Sequence, residues 1–98
     1  MDEQIRQAIA GRSIVACRYH GQRRIGEPHL YGVVNGRTRL LFYQTEGSGL
    51  FGPYPVWRRF DVDDITRFTV TSRTFTQVRV GSESSLAEWD EVLAIVAD

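Results

Sequence analysis

The stretch Leu30-Tyr31-Gly32-Val33-Val34-Asn35-Gly36-Arg37-Thr38-Arg39-Leu40-Leu41-Phe42-Tyr43 decides the fold class. A type I′ turn needs positive φ at both central positions, and Asn-Gly supplies this at little strain. β-Branched and aromatic residues flank the pair, so the segment is predicted as an antiparallel hairpin. One arm runs from Arg23 to Val34 and the other from Arg37 to Thr45. Pro28 cannot donate to a ladder, which puts it at an edge or a bulge of the first arm. In the second arm Leu40 and Phe42 share one face, Leu41 and Tyr43 the other. A strand apolar on both faces suits the inside of a small barrel or a contact between copies.

Upstream, Val15, Cys17 and Tyr19 alternate with Ala16 and Arg18, giving a strand from Ser13 to Tyr19, and His20-Gly21-Gln22 reads as a turn. Asp2 to Ala10 reads as a short helix. Ile5, Ala8 and Ile9 fall on one face, Asp2 and Glu3 suit its N-terminal end, and Gly11 stops it. Downstream, Glu46 to Pro55 is a glycine- and proline-rich loop. Val56 to Val62 and Ile65 to Ser72 are predicted strands about an acidic Asp63-Asp64 knuckle, and a short strand from Phe75 to Val80 follows. Residues 85–97 are expected to be helical, because Ser85 and Glu88 have capping-box spacing and Leu86, Trp89, Leu93 and Val96 recur at helical spacing. The whole, residues 1–98, is expected to be one domain, mainly β with flanking helices (α+β). Its sheet or barrel is small, strongly bent and antiparallel, and covers residues 13–80.

The 98 residues hold twelve arginines, no lysine and twelve acids, for zero formal charge, and 42% are hydrophobic. That suffices for one core, and the neutral balance argues against a uniformly basic nucleic-acid binder. The zero hides an uneven layout: residues 12–60 carry eight arginines against Glu27 and Glu46, while residues 80–98 carry five acids and no base. The acidic end either neutralises the basic body or screens an anion site on it. Cys17 is alone, so neither an internal disulfide nor a cysteine zinc site is expected. No apolar run nears the ~20 residues that cross a bilayer, and the acidic start is the reverse of a secretory signal. The expected home is the cytoplasm.

Chemically, Cys17 lies in an apolar alternating strand, which raises a thiol pKa. No serine sits in a nucleophile elbow, and His20 and His29 lack metal-ligand spacing. The chain is read as non-enzymatic, with no cofactor and no metal. Arginine carries the clue. Arg37 and Arg39 share a strand face, and Arg58 and Arg59 adjoin Trp57 and follow Tyr54. A guanidinium beside an aromatic ring can grip phosphate bidentately while a base stacks on the ring. The same arginines would equally serve Asp61, Asp63, Asp64 or the acidic tail as ion-pair partners. Glu27, His29 and Tyr31 alternate along one strand, either as a trio that hydrogen-bonds a polar ligand or as an ordinary polar face.

Taken in order, Tyr19, Arg24-Ile25-Gly26-Glu27-Pro28-His29-Leu30-Tyr31-Gly32, Leu40-Leu41-Phe42-Tyr43-Gln44, Trp57-Arg58-Arg59-Phe60-Asp61-Val62-Asp63-Asp64-Ile65 and Phe75 resemble the landmarks of the WYL-domain family, in particular its small stand-alone bacterial members. The resemblance implies an Sm-like, SH3-type β-barrel of five or so antiparallel strands preceded by a helix. In larger relatives the module is attached to a helix-turn-helix, senses a nucleotide or nucleic acid, and regulates transcription. Arg58 matches the family's arginine ahead of an aromatic. Thr38-Arg39-Leu40 stands where the family has Trp-Tyr-Leu, and Asp61 and Asp64 stand at two basic family positions. Residues 1–12 leave no room for a helix-turn-helix, so a ligand-binding or regulatory module is expected rather than a self-contained transcription factor. Its ligand is expected to be a nucleotide, oligonucleotide or other anion. Arg39, Tyr43, Arg58 and Arg59 would hold it, with Glu27, His29, Gln44 and Trp57 lining the rim. A homodimer or a partner regulator is the expected protein partner, and a membrane is not. The alternative expectation is a protein-interaction or self-assembly β-barrel without a small-molecule ligand.

Overall fold

Asn35 and Gly36 turn at φ +52° and +77°, so the hairpin forms where its dipeptide requires. A computed structural model describes residues 1–48, 54–79 and 86–97. Along the chain come α1 (Asp2–Ala10), β1 (Ser13–Tyr19), β2 (Gln22–Val34), β3 (Arg37–Gly47) and β4 (Val56–Asp61). A 3-10 turn at Val62–Asp64 then leads into β5 (Ile65–Thr74), and a second at Leu86–Glu88 precedes β6 (Glu91–Ile95). All pairings are antiparallel. They form one open sheet in the order β4-β3-β2-β1-β5, with β6 added to β2. Residues 49–53 of the expected loop, and Val80 and Ser85 with their neighbours, lie outside the described residues.

Strand β2 organises the molecule. One edge pairs with β3 throughout, while the other serves two strands in turn: β1 against Gln22 to Gly26, then β6 against Leu30 to Val33. Pro28 sits at the changeover, where no ladder donor is asked of it, beside the register shift that makes His29 an extra residue against β3. The bend lets the far ends of the sheet meet. Tyr19 at the end of β1 stacks on Phe60 of β4 with centroids 4.2 Å apart, and its hydroxyl accepts the Asp61 N–H at 3.0 Å. The main core lies inside this curl: Val15, Cys17, Leu40, Phe42 and Phe60, closed by Ile5, Ala8 and Ile9 of α1. Each fully buried side chain of this size contributes roughly 1.5–3 kcal/mol. Burial pushes the Cys17 thiol up to about 11, as befits a core residue.

Two expectations are corrected. Residues 86–97 are not a helix but a 3-10 turn and a strand. Trp89, Leu93 and Val96 are covered, but not as one stripe: Trp89 packs on Leu30 and Leu41, while Leu93 and Val96 join the main core past a register shift between Val92 and Ala94. A bulged strand thereby imitates helical spacing. The unpaired edge of β2 beyond Pro28, together with β-branched Val92 and Ile95, favours the ladder. Leu86, by contrast, is exposed. The strand expected from Phe75 to Val80 does not form over 75–79, where Arg12 and His29 take the backbone N–H groups of Phe75 and Arg79. On the second apolar face of β3, Leu41 packs with Leu30 and Trp89.

Candidate functional site

Adjacent strand residues point to opposite faces, and two Arg-Arg pairs exploit this. On β2, Arg23 is exposed and Arg24 is buried at 7% exposure. On β4, Arg58 pairs across from Phe42 on the core side, while Arg59 pairs with Leu41 on the outer side. The curl of the sheet brings Arg24 and Arg58 together at a cleft of about 480 Å³. Tyr19, His20, Gln22 and Arg24 form one wall, and Trp57, Arg58, Arg59 and Phe60 the other.

Behind the two arginines lies Gln44, fully buried on β3. Its amide donates to the carbonyls of Glu46 and Ser48 at 3.1 and 3.2 Å, which fixes its orientation and aims its carbonyl at the arginines. Arg24 Nη1 and Arg58 Nε both donate to that one oxygen, each at 3.2 Å. Arg24 also bonds Gln22 Oε1, while its Nε has no hydrogen-bond partner among the described residues. Its guanidinium lies over the rings of Phe60 and Tyr19 at 5.6 and 5.8 Å. Among the described residues, Arg24 makes no ion pair with a carboxylate. Burial, and then the charge of Arg58, lower its pKa from the usual arginine value. At the mouth, His20 stacks on Tyr19 with centroids 4.1 Å apart, from a turn position with φ +51°. Left-handed backbone is uncommon for a residue other than glycine, and here it sets an imidazole on the rim.

The expected site residues divide into three groups. Arg58, Arg59 and Trp57 line the cleft, and Gln44 is buried behind it, bonded to Arg58. Arg39 does not: it faces Asp61 at 3.2 Å, an ion pair without hydrogen-bond alignment, and Arg37 reaches the same carboxylate at 3.7 Å. Arg59 at the rim pairs with Glu88, whose carboxyl it holds below the usual range.

Glu27, His29 and Tyr43 belong to a separate, closed network. Arg79 binds both Glu27 oxygens at 2.9 Å and lies over Tyr43 at 4.8 Å. His29 Nε2 accepts the Arg79 N–H at 3.2 Å, so its Nδ1 carries the proton and donates to the Glu27 carbonyl at 3.0 Å. Its ring stacks on Phe75 and meets Trp57 edge-on, both at 5.1 Å. Burial lowers the His29 pKa from its usual value. These three side chains fasten residues 75–79 to the bulge of β2 and do not line the cleft.

The sequence reading did not place Arg24, Tyr19, His20, Gln22 or Phe60 in the site. A signal existed for Arg24: two adjacent arginines inside a strand must send one to the interior. No family model matches the chain, and neither a curated protein nor a solved structure matches it.

Proposed function

We propose that the protein is a non-enzymatic ligand-binding module, regulatory in role, that takes an anionic ligand of nucleotide type in the Arg24–Arg58 cleft. The observation that carries this is the buried guanidinium of Arg24, whose described partners, Gln22 and Gln44, are both neutral. A buried charge held by neutral amides and ring faces costs stability, and an incoming anion offsets that cost. His20, stacked on Tyr19, and Trp57 on the opposite wall offer a platform for a flat ring beside the charge. The helix followed by a bent antiparallel sheet, with β4 and β5 joined through a 3-10 turn, supports the SH3-type barrel implied by the WYL-domain resemblance. Asp61 lies on Arg39, away from the cleft, and Asp64 meets His20 at its mouth, so neither acidic departure from that family's pattern pairs with Arg24.

A thermal-shift series with nucleotides and short single strands tests this. Ligand at about one hundred times its Kd stabilises by ~2.7 kcal/mol, which in a domain of this size raises Tm on the order of 10 °C. Arg58→Ala abolishes the shift, and added salt weakens it. A ligand series that leaves Tm unchanged contradicts the proposal.

A further inference from the structure

We propose that residues 75–79 form a strap, hinged on Arg12 and latched by His29, and that a second proton on the His29 ring opens the latch. Among the described residues the segment joins no ladder, and its two ends are held by different chemistry. At the hinge the Arg12 carbonyl accepts the Phe75 N–H and Arg12 Nη1 donates to the Thr76 carbonyl, both at 2.9 Å. Backbone groups and an arginine keep those bonds at any ordinary pH. At the other end the Arg79 N–H donates to His29 Nε2 at 3.2 Å, and that bond lasts while the nitrogen keeps its lone pair. Nδ1 already carries a proton, which it gives to the Glu27 carbonyl at 3.0 Å. A second proton therefore enters at Nε2 and sets N–H against N–H. The ring is fully buried, so relief comes when the strap leaves and water reaches the imidazolium.

Two charged groups face the ring: Glu27 from β2, which favours the second proton, and Arg79 from the strap, which opposes it. Phe75 of the strap and Trp57 of β4 meet it as uncharged rings, Tyr43 of β3 lies under the Arg79 guanidinium, and Val96 past β6 bonds its backbone carbonyl. An imidazolium here also repels the guanidinium seated on both Glu27 oxygens, so one proton weakens both holds on Arg79. Burial keeps the closed-state pKa below the ordinary 6.5, and the open strap restores the ordinary value. Opening is therefore favoured as pH falls below about 6.5, by up to about tenfold per pH unit, until the closed form itself titrates. Trp57, edge-on to His29, also lines the cleft, which sets one of its walls beside the latch.

Amide hydrogen exchange of the full chain, followed by NMR and corrected for the intrinsic rate, tests the device. The Arg79 amide is expected to exchange faster as pH falls below about 6.5, by up to about tenfold per unit. At fixed pH low urea should leave its rate unchanged, because a small local opening exposes little surface, while amides of the β2–β3 hairpin speed up with urea through global unfolding. His29→Gln sets a carbonyl in reach of the Arg79 N–H that accepts at every pH, so its Arg79 rate should be flat. Should that variant fail to fold, the wild-type ring decides: its own titration midpoint must fall where the Arg79 rise levels off. An Arg79 rate that ignores pH overturns the proposal. So does one that follows urea as the hairpin does, since the proton would then unfold the whole domain. A wild-type slope in folded His29→Gln, or a ring midpoint at or above the ordinary 6.5, overturns it equally.

Discussion

His29 shows how a residue can look functional and be structural. Its ring is fully buried, donates to the Glu27 carbonyl and accepts from the Arg79 backbone, with the Glu27–Arg79 ion pair as its charged neighbour. Because burial holds its folded pKa below the ordinary 6.5, the unfolded chain takes up a proton first as pH falls. Its contribution to stability is therefore complete above about pH 6.5 and is lost as pH drops from there through the folded pKa. Urea midpoints are expected to fall between about pH 7.5 and about pH 5.5, and His29→Asn should flatten that slope while costing about 1–3 kcal/mol overall. An equal slope in the variant would assign the pH dependence elsewhere. Nothing in the sequence separates His29 from a ligand-binding histidine, since its satisfaction comes from Arg79, fifty residues away. Arg24 is the opposite case. Its inward direction was legible from the Arg-Arg pair, but its convergence with Arg58 depends on the curl of the sheet.

Among the elements, local chemistry made α1, β1 and the β2–β3 hairpin legible: Asn35-Gly36 dictates its turn, and Ile5, Ala8 and Ile9 mark one helical face. Strand β6 was not legible, because its bulge reproduces the spacing of a helix and its partner, the free edge of β2, lies some sixty residues earlier. That pairing depends on Gly32. A Cβ there would stand 2.3 Å from the Glu91 carbonyl and 2.8 Å from the Trp89 ring, backbone and bulky ring that cannot both yield. Gly32→Ala should cost about 1–3 kcal/mol as overpacking and displace Trp89 from Leu30 and Leu41. Near-UV circular dichroism and a urea curve measure both. An unchanged tryptophan signal at wild-type stability would mean that β6 does not sit on β2 in solution.

For the molecule as a whole, the zero net charge resolves into specific pairings. Acids from separate stretches answer arginines across the fold: Asp61 with Arg39, Glu46 with Arg73, Glu27 with Arg79, and Glu88 of the acidic tail with Arg59. The tail thus packs on the body and reaches the rim of the cleft. Arg24, deeper in, is held by two glutamines. The curl that sets Tyr19 on Phe60 is what turns these separate strand positions into one cleft. Phe60→Ala should therefore weaken ligand binding as well as cost about 3–5 kcal/mol of stability, the first read by titration at low temperature and the second by denaturation. The most direct test of the central claim follows the Arg24 Nε–Hε resonance by NMR while inorganic phosphate is added. The resonance is expected to shift in a saturable way and to exchange more slowly with solvent, and both changes should vanish in Arg58→Gln; a resonance that stays in place as phosphate rises would contradict the claim that this guanidinium awaits an anion.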